Sequence, residues 1–139
     1  MADAELMERT LLALDGREDR LRIELFERFF AEFPTRRADF IAFEASSRRM
    51  TDETLQLLHG AATGADWLWT QLADLVDLHR AYGALPQAEF DRFIEMTAET
   101  ACDLADAARD ERVAWQAQAA ELKQLIVKAR AEWEVALPR

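Results

Sequence analysis

From Gln87 to Leu137 the chain contains neither glycine nor proline. That stretch is too long for one ordinary globular helix. The polar run Asp106 to Arg112 is where it is expected to bend. The part before the bend carries Phe90, Phe93, Ile94, Thr97, Ala101, Leu104 and Ala105. The part after carries Trp115, Ala119, Leu122, Leu125, Ile126, Ala129 and Trp133. Both sets recur at helical spacing, so each part reads as an amphipathic helix with one buried face. Breakers are scarce elsewhere too, with four glycines and three prolines in 139 residues. Ala, Leu, Glu and Arg dominate over Thr, Val and Ile, which is helix-forming composition. No alternating strand pattern, internal repeat or low-complexity tract interrupts it.

The few breakers divide the remainder. A first helix is expected from about Ala4 to Leu14, stopping at Asp15-Gly16. A second starts near Asp19 and carries Leu21, Leu25, Phe26, Phe29, Phe30 and Phe33. Pro34 ends it, because proline restricts the residue before it and cannot continue the hydrogen-bond ladder. A short helical turn then runs to about Phe40. Thr51 reads as an N-cap, with Asp52 and Glu53 at the positive end of the helix dipole. That helix carries Leu55, Leu57, Leu58, Ala61 and Ala62 to near Gly64, and another runs from about Trp67 to Arg80. Gly83 closes it as a C-cap and Pro86 opens the next at its first turn. The prediction is one all-α domain over 1–139 with about seven helices, not a simple four-helix bundle.

Charge and cysteine usage exclude several classes. Seventeen basic against 27 acidic residues leave a formal net charge of −10. Nucleic acid needs a basic footprint, so it is not expected as a partner. An anionic membrane surface would repel the chain, and no apolar run reaches the roughly 18 residues of a spanning helix. Cys102 is the single cysteine, which rules out an internal disulfide or a multi-cysteine zinc site and fits a reducing compartment. The start MADAELMERTLLAL has neither a basic lead nor an apolar core, so no signal peptide is expected and the location reads as cytoplasmic. There is no nucleophile triad, no glycine-rich phosphate loop and no flavin or nicotinamide segment. A binding protein rather than an enzyme is therefore expected, with any redox chemistry left to an external reductase.

His79 shares its helix face with Leu72, Leu75 and Val76, so its imidazole points inward. Such a histidine either fills core, satisfied by a backbone carbonyl, or ligates a metal. Its surroundings bear on the choice. The segment LVDLHRAYGALPQAEFDRFI resembles the proximal segment of the globin family, where a histidine near a helix end precedes a tight corner, an apolar-Pro pair and a long aromatic-bearing helix. LFERFFAEFPTRRADFIAF resembles that family's second helix, its proline corner at Pro34 and the aromatic wedge at Phe40, with Phe43 a second pocket aromatic. RVAWQAQAAELKQLI resembles the start of its last helix, with Trp115 in the usual tryptophan place.

The resemblance implies a globin-like fold with haem b as cofactor and His79 as the iron ligand through a neutral ring nitrogen. The other ring nitrogen would donate to a carbonyl one turn back. Leu75, Leu85, Phe90 and Phe93 would pack the proximal side, and Phe26 and Phe40 the distal side and edge. Arg48, Arg49 and Arg80 are the cations available for the propionates. Aligning Leu57, Leu58 and Ala61 with the distal helix puts Glu53 where a histidine or glutamine usually faces the gas, with Leu57 one turn on. A slip of one or two residues nominates Thr51, Thr54 or Leu55 instead. None of Phe26, Leu57 and a carboxylate at Glu53 donates a hydrogen bond, so weak retention of oxygen is expected. His59 reads as a structural residue, Trp67 and Trp69 as packing anchors, and Cys102 as core filler. The implied function is a haem globin that binds O2, CO or NO as carrier, scavenger or sensor. A haem-free globin-like domain for protein–protein interaction or signal sensing is the alternative, and a homodimer or a partner protein stays open in either case.

Overall fold

The computed structural model describes residues 1–83 and 85–136, with side chains described through Trp133. Six α-helices appear among them: α1 (Asp3–Ala13), α2 (Glu18–Glu32), α3 (Phe43–Thr63), α4 (Leu68–His79), α5 (Gln87–Ala105) and α6 (Arg109–Ala136). Two 3₁₀ turns, Pro34–Asp39 and Arg80–Tyr82, complete the set. There is no strand among the described residues. Pro34 starts its turn at the first position, where its missing N–H costs nothing. Leu137, the expected end of the last helix, lies outside the described residues.

Two helix starts differ from expectation. α3 begins at Phe43, so Thr51 is not an N-cap but a buried residue in mid-helix. Its hydroxyl donates to the Ser47 carbonyl at 2.8 Å, one turn back. Ser47 is buried as well; its hydroxyl donates to the Glu44 carbonyl at 3.2 Å and accepts from Arg22 of α2 at 3.1 Å. Hydroxyls that cap a helix can equally bond back along one, and packing against α2 selects the second use here. The expected bend shrinks to Asp106–Ala108, and Arg109 to Arg112 are already helical. Asp106 turns the chain in the left-handed region at φ 51°. The short link makes α5 and α6 an antiparallel pair.

α6 is the common support, packing on α5, α1, α3 and α4, while α2 packs on α5 and α3. Trp115, Leu122 and Ile126 of α6 are buried with Met7, Leu57, Leu58, Leu72 and Ile94 in the main core. A second cluster is phenylalanine-rich, with Phe26, Phe29, Phe30 and Phe93 buried and Phe33, Phe40 and Phe43 packed against them. α5 also packs on α3, and α6 and α2 make no contact among the described residues.

Candidate functional site

The two clusters do not close on each other completely. Between them lies a cavity of about 240 Å³. One wall is a stripe of α3, formed by Ser46, Arg49, Met50, Glu53, Thr54 and Leu57. These positions are spaced three and four apart and share one helix face. The opposite wall is the end of α4 with the chain just beyond it: Leu75, Leu78, His79, Tyr82 and Leu85. Glu89, Phe90, Phe93 and Ile94 of α5 close one side, Phe29, Arg36, Asp39 and Phe40 another, and Leu122 and Ile126 of α6 form the floor.

His79, Glu53, Leu57, Phe40, Leu75, Leu85, Phe90 and Phe93, drawn from distant parts of the sequence, thus line one cavity. Phe26 does not. It is 1% exposed and lies one layer behind, its ring 5.3 Å from that of Phe40 and 5.5 Å from that of Phe93. The helical stripe of α2 is wide enough that periodicity alone cannot say which phenylalanine reaches the surface of a cavity, and here it is Phe29.

The His79 ring is held from two sides. Its Nδ1 lies 2.8 Å from the Leu75 carbonyl oxygen, one turn back. A carbonyl only accepts, so Nδ1 carries the proton and Nε2 of the neutral ring keeps its lone pair. The Phe90 ring meets the imidazole edge to face, with centroids 5.4 Å apart. Arg130 of α6 stacks on Phe90 at 4.8 Å and donates to the Leu85 carbonyl and to Gln87. Trp133 donates to the Ala73 carbonyl at 3.3 Å, and Arg80 lies 4.7 Å over its ring. The segment carrying His79 is therefore tied to α6 behind it.

The polar groups of the cavity are unequal. Arg36 makes a two-pronged contact with Glu89 at 2.6 and 2.8 Å and a longer one with Asp39 at 3.4 Å. The Glu89 bond is the main cause of a guanidinium pKa raised well above its ordinary value, against the opposing effect of burial. This arginine and its partner, 53 residues apart, were not anticipated; nothing local in sequence marks such a pair. Arg49 reaches Glu53 only at 3.9 Å and is largely exposed. Of the other two cations expected at the rim, Arg48 pairs with Asp19 and Glu44 and Arg80 with Asp77, and neither lines the cavity. Side chains with donor groups also line the cavity: Ser46, Arg49, Thr54 and Tyr82, besides Arg36.

Residues set aside in the sequence fall outside the cavity. His59 bonds Glu8 of α1 at 3.0 Å. Cys102 is buried, and desolvation pushes its thiol up to about 12, which leaves it unreactive. Trp67 packs its ring over Gly60 of α3 while staying 45% exposed, and Trp69 is 39% exposed. No cluster of metal-ligating side chains occurs among the described residues, and none of their helices is long and apolar enough to cross a membrane. Compared with known proteins, the chain matches no family model, no curated protein and no solved structure.

Proposed function

We propose that this protein is a globin-like haem-binding protein in which His79 is the axial ligand and the α3 wall faces a diatomic gas, O2, CO or NO. The observation that carries the reading is the state of His79: Nδ1 engaged by Leu75, Nε2 without a protein partner among the described residues, and the ring on the wall of the cavity. A half-buried imidazole with one nitrogen unengaged, beside the apolar part of a cavity wall, is the kind of donor that haem requires. The Leu75 carbonyl fixes the tautomer and strengthens the ring as a ligand. The pairing of α1 with α6 and of α2 with α5 accords with a globin-like arrangement. When bound, haem supplies an iron with a coordination position open to a gas. Leu75, Leu85, Phe90 and Phe93 would bury its ring, at about 25 cal/mol per Å² removed from water. Arg49 is the rim cation free enough to meet a propionate, since Arg36 is already held by Glu89. The single buried thiol agrees with a reducing, cytoplasmic setting.

Titration of the purified protein with haem tests the reading. A Soret band should form in wild type, vanish in His79→Ala and survive in His59→Ala. The reverse behaviour of the two variants would place the ligand on the wrong helix.

A second reading has an observation of its own. The cavity volume of about 240 Å³ lies below the roughly 300–1,000 Å³ of pockets that enclose drug-sized ligands. That favours a haem-free globin-like sensing or interaction domain. A wild-type protein that never takes up haem would establish this second reading over the first.

A further inference from the structure

Two groups on facing walls of the cavity accept hydrogen bonds and are offered little by the protein. One is Nε2 of His79 on the α4 side, whose lone pair the bond from Nδ1 to the Leu75 carbonyl leaves free. The other is the carboxylate of Glu53 on α3, with 22% of its side chain exposed. The carboxylates of Asp39 and Glu89 are held by Arg36. Among the described residues Glu53 has only Arg49 as an ionic partner, at 3.9 Å, and that arginine is 68% exposed. An ion pair so long and so open contributes little. The sides that join these walls carry the rings of Phe29, Phe40, Phe90 and Phe93. Two basic side chains, Arg36 and Arg49, stand against three acidic ones, which leaves the lining with one negative charge in excess.

We propose that the cavity binds a small organic cation, a primary amine on an apolar body, whose ammonium pairs with Glu53 and whose body lies among the phenylalanines. Nε2 of His79 is a second acceptor on the facing wall. The proposal rests on the haem-free reading above and names the class of molecule that such a domain would sense. An ammonium has three N–H donors and no acceptor, which suits a cavity whose uncommitted groups accept. The hydroxyls of Ser46, Thr54 and Tyr82 on the lining can accept as well. Aromatic rings attract a positive charge to their faces. A carboxylate ligand would meet Glu53 as a like charge, and a neutral one would gain nothing from it. The cavity volume of about 240 Å³ equals that of about eight molecules of liquid water, room for an amine of about that many non-hydrogen atoms. The net charge of −10 draws cations toward the protein from a distance.

Benzylamine fits this size and is cationic at about pH 7, like other alkylamines. Benzyl alcohol and benzoate are its neutral and anionic counterparts. In calorimetric titration of the haem-free protein, benzylamine should bind about tenfold more tightly than benzyl alcohol, the effect of one charged hydrogen bond, and benzoate should not bind. Glu53→Gln should abolish that preference and leave benzyl alcohol within about threefold of wild type. Arg49→Gln, which releases Glu53, should tighten benzylamine binding by about threefold, and this holds the proposal to account even if Glu53→Gln does not fold. Asp52→Asn removes an acidic charge from the exposed part of α3 and should change nothing, which separates a bound ammonium from general attraction to an acidic protein. Equal binding of benzylamine and benzyl alcohol by a protein that takes up no haem would overturn the proposal alone. So would equal losses in Glu53→Gln and Asp52→Asn, or no gain in Arg49→Gln. A Soret band in wild type on titration with haem would overturn the haem-free reading and the proposal with it.

Discussion

Phe26 shows how a residue can matter to a cavity that it does not touch. Its ring lies between 5.3 and 6.3 Å from those of Phe29, Phe30, Phe40, Phe43 and Phe93. Edge-to-face and tilted pairs of this kind contribute about 0.5–1.5 kcal/mol each beyond area burial. Phe29, Phe40 and Phe93 line the cavity and rest on this ring. Phe26→Ala should therefore destabilise the protein by about 3–5 kcal/mol, measured by urea unfolding. A loss under about 1 kcal/mol would mean that the cluster closes over the gap and that the cavity does not depend on it.

At the scale of the element, α3 and the residue that opens α4 approach closely at Gly60. Gly60 has no side chain, and a Cβ built there would lie 2.6 Å from the far edge of the Trp67 ring. Alanine is otherwise the better helix residue, by about 1 kcal/mol. The two effects oppose each other, and Trp67 is exposed enough to swing away. Gly60→Ala should therefore leave stability near wild type or slightly below, with Trp67 emission shifted toward that of a solvated indole. In a Trp67→Ala background the same substitution should stabilise by about 1 kcal/mol. Equal effects in both backgrounds would show that the ring is not what keeps alanine out. The contact matters for the site because α3 supplies the polar wall and α4 carries His79.

For the whole molecule, core and cavity share residues. Leu122 and Ile126 belong to the main core and also floor the cavity, so substitutions there act on both. Ion pairs join helices around this core. Asp103 of α5 takes bonds from Arg112 of α6 at 2.8 Å and Arg28 of α2 at 3.1 Å. The Arg112 bond, ahead of the opposing effect of burial and of the Arg28 bond, holds the Asp103 carboxyl below its usual range. Lys123 does the same for Glu95, ahead of Arg92. A carboxylate whose pKa is lower in the folded state stabilises the fold above its unfolded pKa, near 4, and the benefit is lost as pH falls through the folded value. Stability should thus decline from about pH 5 downward, and Asp103→Asn should flatten the decline. Asp103 is about half exposed, so salt should reduce the effect. Urea midpoints of wild type and Asp103→Asn across that range check this; parallel curves would show that Asp103 contributes nothing.

Helical class, breaker positions and the inward direction of His79 were legible in the sequence, because each depends on local rules. Proline and glycine punctuate the backbone wherever they stand, and a 3.6-residue period assigns faces without reference to neighbours. The bond from His79 to Leu75 arises from the same periodicity. What tertiary structure decided were choices between local options of similar free energy. Thr51 could cap or continue a helix, and burial of Ser47 against Arg22 made it continue. Any of several phenylalanines on α2 could have reached the cavity, and the packing of α2 on α5 put Phe29 there and Phe26 behind it. The Arg36–Glu89 pair exists only because segments far apart in the chain are brought together. A one-dimensional pattern carries the period of a helix but not the identity of what packs against it.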